Sequence, residues 1–181
     1  MAETWVRDVL DFWFGLAPDQ YWHADPDLDE QIRERFLETW QEQQQRLIGD
    51  FTTDADTALA AIILFDQLPR NMFRNHADSF ATDHMALAIA RRAIDRGYDE
   101  RFEQPRRGFF YLPFQHSEDR AEQQRSLALF TALGDEHQLK FAKRHYEVIA
   151  RFGRFPHRNT MLGRMPRPDE LAAGDVDPTH A

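Results

Sequence analysis

The chain has 181 residues, of which 42% are hydrophobic, so it is long enough for one domain with a buried core. Its formal net charge of -9 argues against wrapping nucleic acid, because neutralising phosphates needs a basic face. The sequence contains no cysteine, which excludes disulfide bonds, thiolate metal sites and a cysteine nucleophile. No signal peptide is evident, and the longest apolar run, residues 58–65, is too short to span a bilayer. We therefore expect a soluble, cytoplasmic protein without membrane segments.

Apolar residues recur with the period of an α-helix from the start of the chain. The first helix is predicted over residues 4–14 and is followed by a loop that carries Tyr21 and Trp22. The second helix begins at Pro26, where a missing N–H costs nothing, and ends near Gly49. Both helices show one apolar face, as expected when a helix packs on a core.

The third predicted helix starts near Thr53 and is apolar on every side over residues 58–65, which indicates a central helix surrounded by others. Four more helices are predicted at residues 78 or 79 to 97, part of 104–112, 117–134 and 138–152. Residues from about 165 to 181 are expected to form a weakly ordered tail, which could hold a short helix over residues 169–173. We predict a single all-α domain over residues 1–181, an antiparallel array of about seven helices without clean repeats.

Three proline motifs follow apolar helical runs, and each carries polar residues where the proline is expected to end the helix. They lie at residues 68–71, 112–119 and 155–159. In an antiparallel array, the ends of odd-numbered helices share one edge. The loops after helices one, three, five and seven would then meet, which would place all three motifs and the loop with Tyr21 and Trp22 around one polar site.

The residues of these motifs suit the binding of an anion and the transfer of a proton. Guanidinium groups bind carboxylate or phosphate through two parallel bonds, so the arginines predict an anionic ligand. Imidazole gains and loses a proton near neutral pH, which makes His116 and His157 the acid–base candidates, with Asp66 and Glu118 to orient them. The ligand-binding candidates are Arg70, Asn71, Gln67, Arg154, Arg158, Asn159, Tyr21 and Trp22.

The same residues also have a structural interpretation. Asp66 and Arg70 have the spacing of an i,i+4 ion pair at a helix end. Glu118 complements the positive N-terminus of the helix that follows it, and Arg154 suits a helix C-terminus. No tight metal-ligand motif, phosphate-cradling glycine loop or dinucleotide fingerprint occurs, and the arginines would repel a cation. We therefore predict neither a metal nor a cofactor.

Four longer motifs stand in order along the chain, at residues 9–15, 63–71, 111–118 and 153–159. Together they resemble a bacterial family known as domain of unknown function 924, and the likeness runs from about Asp8 to Arg164. The resemblance implies an all-helical fold similar to tetratricopeptide-type helix arrays. It implies no particular reaction.

Two functional hypotheses remain open at this point. In the first, the protein has a polar pocket that binds, and could transform, a small anionic ligand. In the second, the protein is a tetratricopeptide-like scaffold without catalytic activity, which takes a peptide or protein partner in a groove between helices. The polar motifs would then be caps and struts that hold the helices together.

Overall fold

The structure, a computed structural model, describes residues 3–179. Over that range it consists of helices, short turns and loops with no β-strand, so the all-α prediction is confirmed. None of the helices in these residues is both long and apolar enough to cross a membrane. The chain divides into two compact units, Met1–Pro113 and Phe114–Ala181. The single domain and the tetratricopeptide-like arrangement stay predictions, and the last two residues of the predicted tail lie outside the described range.

The first unit contains helices that match most of the predicted ones. They are α1 Thr4–Phe14, α2 Pro26–Gln43, α3 Ala55–Ile62, α4 Leu68–Met72, α5 Asp83–Asp95 and α6 Arg106–Phe109. One-turn 3₁₀-helices lie at Pro18–Tyr21, Ile48–Thr52, Ala77–Phe80 and Asp99–Arg101. The predicted fourth helix therefore consists of two elements, because a separate turn at Ala77–Phe80 precedes α5. The short α7 Leu112–Gln115 contains the boundary between the units.

The centre of the first unit is α3, as its uniformly apolar sequence predicts. Apart from Asp56, every residue of this helix is buried. The helix packs against α1 and α5, while α2 packs against α4. Four of its eight residues are alanine, and small side chains let neighbouring helices approach closely.

The prediction that Pro69 ends the third helix is wrong. Helical backbone continues from α3 through a π-turn, Ile63–Gln67, directly into α4, and Pro69 lies in the first turn of α4. The N–H of Leu68 donates to the carbonyl of Ile63, five residues back, which is the hydrogen bond of a π-helix. The wider turn lets the helix pass the proline, which cannot donate a backbone hydrogen bond.

The other two proline motifs also begin short helical elements instead of ending helices. Pro113 is the second residue of α7, and Pro156 is the first residue of a 3₁₀-helix, Pro156–Arg158. Proline is well suited to the first turn of a helix, because that position needs no N–H donor and its fixed φ angle is already helical. The polar residues after each proline therefore lie on ordered turns.

The second unit is built on a pair of helices, α8 Arg120–Leu133 and α9 Glu136–Phe152, which pack against each other. The Asp119 side chain accepts hydrogen bonds from the first N–H groups of α8, so this helix begins three residues later than predicted. Gly134 and Gly153 take the left-handed conformation that ends each helix, as their positions predict. The two-residue connection makes α8 and α9 antiparallel.

The chain after α9 includes one more short helix, α10 Pro168–Ala173, in the region predicted for it. Glu170 and Pro178 are buried, although they belong to the segment expected to be a weakly ordered tail. Glu170 accepts a hydrogen bond from the Arg167 N–H at 2.8 Å, which satisfies one of the unpaired donors at the start of α10. The weak order of this segment stays a prediction.

Candidate functional site

The first-unit motif places Asp66, Gln67 and Arg70 around one ion-pair network. Asp66 is fully buried, and Arg70 Nη1 lies 3.4 Å from its Oδ1. Arg70 also donates to both carboxylate oxygens of Asp83 in α5, at 2.8 and 3.0 Å, while the Gln67 amide donates to Asp66. Burial lowers the pKa of the Arg70 guanidinium, but the charges of Asp83 and Asp66 outweigh burial and raise that pKa. The predicted i,i+4 ion pair between Asp66 and Arg70 is therefore present. Arg70 also has a second partner, Asp83, which the sequence did not indicate.

Asn71 lies in a neighbouring network that connects α4 to α2. The Asn71 amide donates to Asp29 Oδ1 at 2.8 Å, and Arg74 donates to both oxygens of the same carboxylate at 2.6 and 2.7 Å. Arg70 and Asn71, both predicted to contact a ligand, thus bind carboxylates of other helices. In the first unit, the residues of the proline motif therefore connect α4 to α2 and to α5.

Replacing Arg70 with methionine should destabilise the protein by about 2 kcal/mol, because the fully buried Asp66 carboxylate loses a cationic partner. Urea unfolding at pH 7 measures the change. Arg74→Met is the matched control, since it breaks a bidentate pair in which the arginine side chain is 38% exposed, and should cost under about 1 kcal/mol. Equal losses in the two variants would contradict a special role for the buried carboxylate.

Tyr21 and Trp22, predicted to wall the site, belong to an aromatic cluster of the first unit. Tyr21 stacks on Trp13 with ring centroids 5.3 Å apart, and Trp22 stacks on Phe109 at 6.1 Å with an interplanar angle of 4°. Trp22 remains 49% exposed. The loop is therefore held by ring packing, and about half of the Trp22 surface is open to solvent.

Glu118 binds an arginine and a backbone N–H of the second unit. It accepts from both Nη atoms of Arg164, at 2.7 and 2.9 Å, and from the Phe155 N–H at 2.7 Å. Burial raises the pKa of Glu118, but the hydrogen bonds from Arg164 and Phe155 outweigh it and keep the pKa below its ordinary value. The predicted role of this carboxylate was to orient His116, and the structure shows it bound to the segment after α9.

Arg154 and Asn159, two predicted ligand anchors, both bind Glu170 of α10. Arg154 donates to the two carboxylate oxygens at 2.5 and 2.8 Å, and the Asn159 amide donates at 2.9 Å. Asn159 in turn accepts from Arg164 Nε at 3.0 Å, which joins this group to Glu118. Hydrogen bonds from Arg154 lower the pKa of Glu170 to about 2. Sequence reasoning missed Glu170. A signal for it was present, because α10 begins with Pro-Asp-Glu, and a glutamate at the third position of a helix often accepts from the N–H of the residue before the helix, here Arg167.

Basic side chains gather around the Phe155 ring in the same unit. His145 and His157 lie 5.5 and 5.6 Å from it between ring centroids, and the Arg158 guanidinium lies 4.5 Å above it. The His116 ring is 6.2 Å from that of His145. Of the predicted residues, His116, His157 and Arg158 are therefore brought together. We call His116, His145, His157 and Arg158 the basic cluster.

His145 behaves as the core histidine that its place on the apolar stripe of α9 predicts. It is 3% exposed, and its Nδ1 lies 2.8 Å from the Phe141 carbonyl. Burial, followed by the charges of His116, Arg158 and His157, lowers the pKa of His145 from 6.5 to about 3. The ring is thus neutral at pH 7, mainly because it is buried.

A cavity of about 310 Å³ adjoins the basic cluster at His157. Its walls come from the turn after α9 and from the C-terminal segment; they are Pro156, His157, Asn159, Thr160, Pro166, Glu170, Leu171, Gly174, Asp175 and Val176. Asp177 Oδ1 lies 3.9 Å from His157 Nδ1, within ion-pair distance when the imidazole is protonated. Sequence reasoning missed Asp175 and Asp177, because their segment was expected to be a weakly ordered tail.

Within residues 3–179, no three histidine or acidic side chains are grouped so that they could hold a metal ion. The predicted site joined residues of both compact units, and this meeting stays a prediction. The candidates of the first unit are Asp66, Gln67, Arg70, Asn71, Tyr21 and Trp22. The residues of the second unit form the candidate site considered below.

The fold and the site define a class: an all-α protein whose polar side chains lie on proline-started turns between helices. The chain belongs to the family described as bacterial protein of unknown function (DUF924), whose match covers residues 9–173 and confirms the predicted resemblance. It is similar to a protein of unknown function from Agrobacterium tumefaciens, with 39% sequence identity and a TM-score of 0.88. That similarity covers 93% of this chain and 95% of the other. No protein of curated function matches the chain.

Proposed function

We propose that the protein binds a small anionic molecule in the unit Phe114–Ala181. The observation that carries this proposal is the basic cluster beside a cavity, in which His145, His157 and Arg158 lie against the Phe155 ring and His116 lies against His145. Basic groups that lie close together repel one another when they are protonated, and a bound anion would relieve that repulsion.

The cavity limits the size of the ligand. At about 310 Å³ it lies at the lower end of the range for small-molecule sites, so it fits a metabolite and not a dinucleotide or a folded partner. Asn159 and Glu170 line it but bind each other at 2.9 Å, which leaves His157 as the wall residue that connects the cavity to the basic cluster. His157 and His116 are also the groups that could move a proton on a bound ligand.

Arg158→Gln tests the proposal in a thermal-shift screen against phosphate, sulfate and small carboxylates at constant ionic strength. We expect at least one anion to raise the melting temperature, since a ligand at 100 times its Kd stabilises the folded state by about 2.7 kcal/mol. The rise should disappear in Arg158→Gln, because the cluster loses its permanent charge. Arg151→Gln removes an exposed arginine from the end of α9 and should keep the response.

The second candidate is a protein-interaction scaffold without catalytic activity. Its specific support is the first-unit geometry, in which Arg70 and Asn71 connect helices through Asp83 and Asp29. Hydrogen-bonded ion pairs of this kind hold helices in fixed positions, as a scaffold requires. Trp22, which is 49% exposed, offers an aromatic surface to a protein partner. If no anion stabilises the wild-type protein, ligand binding at the basic cluster is rejected and the scaffold becomes the better hypothesis.

A further inference from the structure

We infer that Arg154 and Asn159 form a binding site for a small carboxylate, and that Glu170 of the chain's own C-terminal segment occupies this site and controls access to it. The site differs from the one in the proposed function, because neither Arg154 nor Asn159 belongs to the basic cluster. We call residues 165–179 the strap. Support comes from the donors around Glu170, from the groups that hold those donors and from the way in which the strap is attached.

The donors around Glu170 have the geometry of a carboxylate site. Arg154 Nε and Nη2 donate to its two oxygens at 2.5 and 2.8 Å, and the Asn159 amide donates to Oε2 at 2.9 Å. Two parallel bonds from a guanidinium match the planar shape of a carboxylate, and charge-assisted bonds of this kind are about twice as strong as neutral ones. A free carboxylate in the place of the Glu170 side chain would meet the same three donors.

Groups outside the strap hold these donors in position. Asn159 Oδ1 accepts from Arg164 Nε at 3.0 Å, which turns the amide nitrogen of Asn159 towards Glu170. Arg164 in turn donates to both oxygens of Glu118, at 2.7 and 2.9 Å. Arg154 lies in the turn after α9, so helix packing sets the position of its backbone. The site is therefore preformed, which lowers the cost of binding a ligand.

The strap is attached mainly through polar groups. Glu170 is the buried residue of α10, while Leu171 is 67% exposed and Met165, just before the helix, is 84% exposed. The Met165 carbonyl accepts a further bond from Arg154 Nη2 at 2.8 Å. Hydrogen bonds to the strap can be exchanged for bonds to a ligand, so a competing carboxylate can release α10. The buried Pro178 would keep the end of the strap in place.

The cavity beside the strap gives a ligand a route to the site. Asn159 and Glu170 both line this space of about 310 Å³, so the hydrogen bond between them borders the cavity. A small carboxylate in the cavity would reach the Asn159 amide first and then replace Glu170 at Arg154. The volume fits a ligand of a few heavy atoms and excludes a folded partner.

Glu170 controls access because it competes with every free ligand. A competing group on the same chain acts at an effective concentration of about a millimolar or more. The apparent affinity for a ligand falls in proportion to the fraction of molecules in which the site is open. If the strap is closed in about nine molecules of ten, a free carboxylate binds about tenfold more weakly than it would to the open site.

The test is an NMR titration of the full-length protein with propionate, which reproduces the Glu170 side chain from Cβ outwards. Glu170→Gln keeps the size of that side chain and removes its charge, so Arg154 loses its anionic partner. We expect this variant to bind propionate at least about tenfold more tightly than the wild type, and to show no such gain for neutral propionamide. Asp169→Asn removes an exposed carboxylate of the same helix and should bind propionate as the wild type does.

Two double variants identify where propionate binds. When Arg154→Gln is added, the gain from Glu170→Gln should disappear. When Arg158→Gln is added, the gain should remain, measured against Arg158→Gln alone. A gain that is absent, or that survives Arg154→Gln, overturns the inference. A gain that depends on Arg158 instead of Arg154 assigns the carboxylate to the basic cluster, so the proposed function stands and the inference fails.

Hydrogen exchange of the wild-type protein tests the release of the strap even if Glu170→Gln does not fold. Propionate that replaces Glu170 frees α10, so the backbone N–H groups of residues 169–173 should exchange faster when it is bound. Propionamide at the same concentration is the control and should leave exchange unchanged. Exchange that stays the same or slows with propionate would overturn the inference.

Discussion

Acidification from pH 7 to pH 4 should lower the free energy of unfolding by about 3 kcal/mol through His145 alone. Its pKa is about 3 in the folded protein, lowered by burial and by the charges of His116, Arg158 and His157, against 6.5 for an ordinary histidine. Between these two values the unfolded chain binds a proton that the folded chain does not. The stability contributed by neutral His145 is therefore complete above pH 6.5 and is lost as the pH falls towards 3.

The measurement compares urea unfolding at pH 7 and pH 4 for the wild-type protein and His145→Phe. The difference between the two pH values should be about 3 kcal/mol smaller in the variant, while carboxylates contribute equally to both proteins. His137→Phe replaces an exposed histidine of the same helix and should change stability by under about 0.5 kcal/mol at either pH. If His145→Phe loses as much stability on acidification as the wild type, the buried ring is not the acid-sensitive group.

Thr82→Val should destabilise the protein by about 3 kcal/mol, although the two side chains have nearly the same shape. The Thr82 hydroxyl donates to the Phe65 carbonyl at 2.7 Å and accepts from Trp40 Nε1 at 3.1 Å, and all three residues are buried. Phe65 precedes Pro69 by four residues, so its carbonyl lacks the usual helical donor. Valine would remove that replacement donor and leave the Trp40 N–H without its acceptor.

The control is Thr131→Val, since the Thr131 hydroxyl donates to the Leu127 carbonyl at 2.7 Å on an exposed part of α8. Water can replace an exposed hydroxyl, so this change should cost under about 0.5 kcal/mol. Chemical denaturation of both variants at pH 7 gives the two values. Similar small losses would mean that the π-turn does not depend on Thr82.

Helices were predictable where local signals set their ends. α1 Thr4–Phe14 was predicted to the residue, and the ends of α8 and α9 follow from Gly134 and Gly153, because a left-handed residue is the common way to stop a helix. The continuation past Pro69 was not predictable, since Thr82, whose hydroxyl donates to the Phe65 carbonyl, lies 17 residues away in the sequence. A rule that considers only neighbours in sequence has to end the helix there.

In the candidate site, too, contacts between residues close in sequence were predictable and contacts between distant residues were not. The Asp66–Arg70 pair is four residues apart and was foreseen as an i,i+4 interaction. The pairs that occupy the other predicted residues are 16 residues apart in Arg154–Glu170 and 46 apart in Arg164–Glu118. The sequence identifies which side chains are polar and lie at turns. The partners of these side chains depend on the tertiary packing of α9 and the C-terminal segment. A local sequence pattern does not predict that packing.

The π-turn has a consequence for how this chain is compared with helical-repeat proteins. One extra residue in a helical turn rotates everything after it by about 100° relative to an uninterrupted α-helix. A residue-by-residue superposition of α3 on an ordinary repeat helix would therefore place Arg70 and Asn71 on the wrong side. A one-residue gap after Ile62 would restore the phase, so searches for hidden periodicity should allow an insertion at that point.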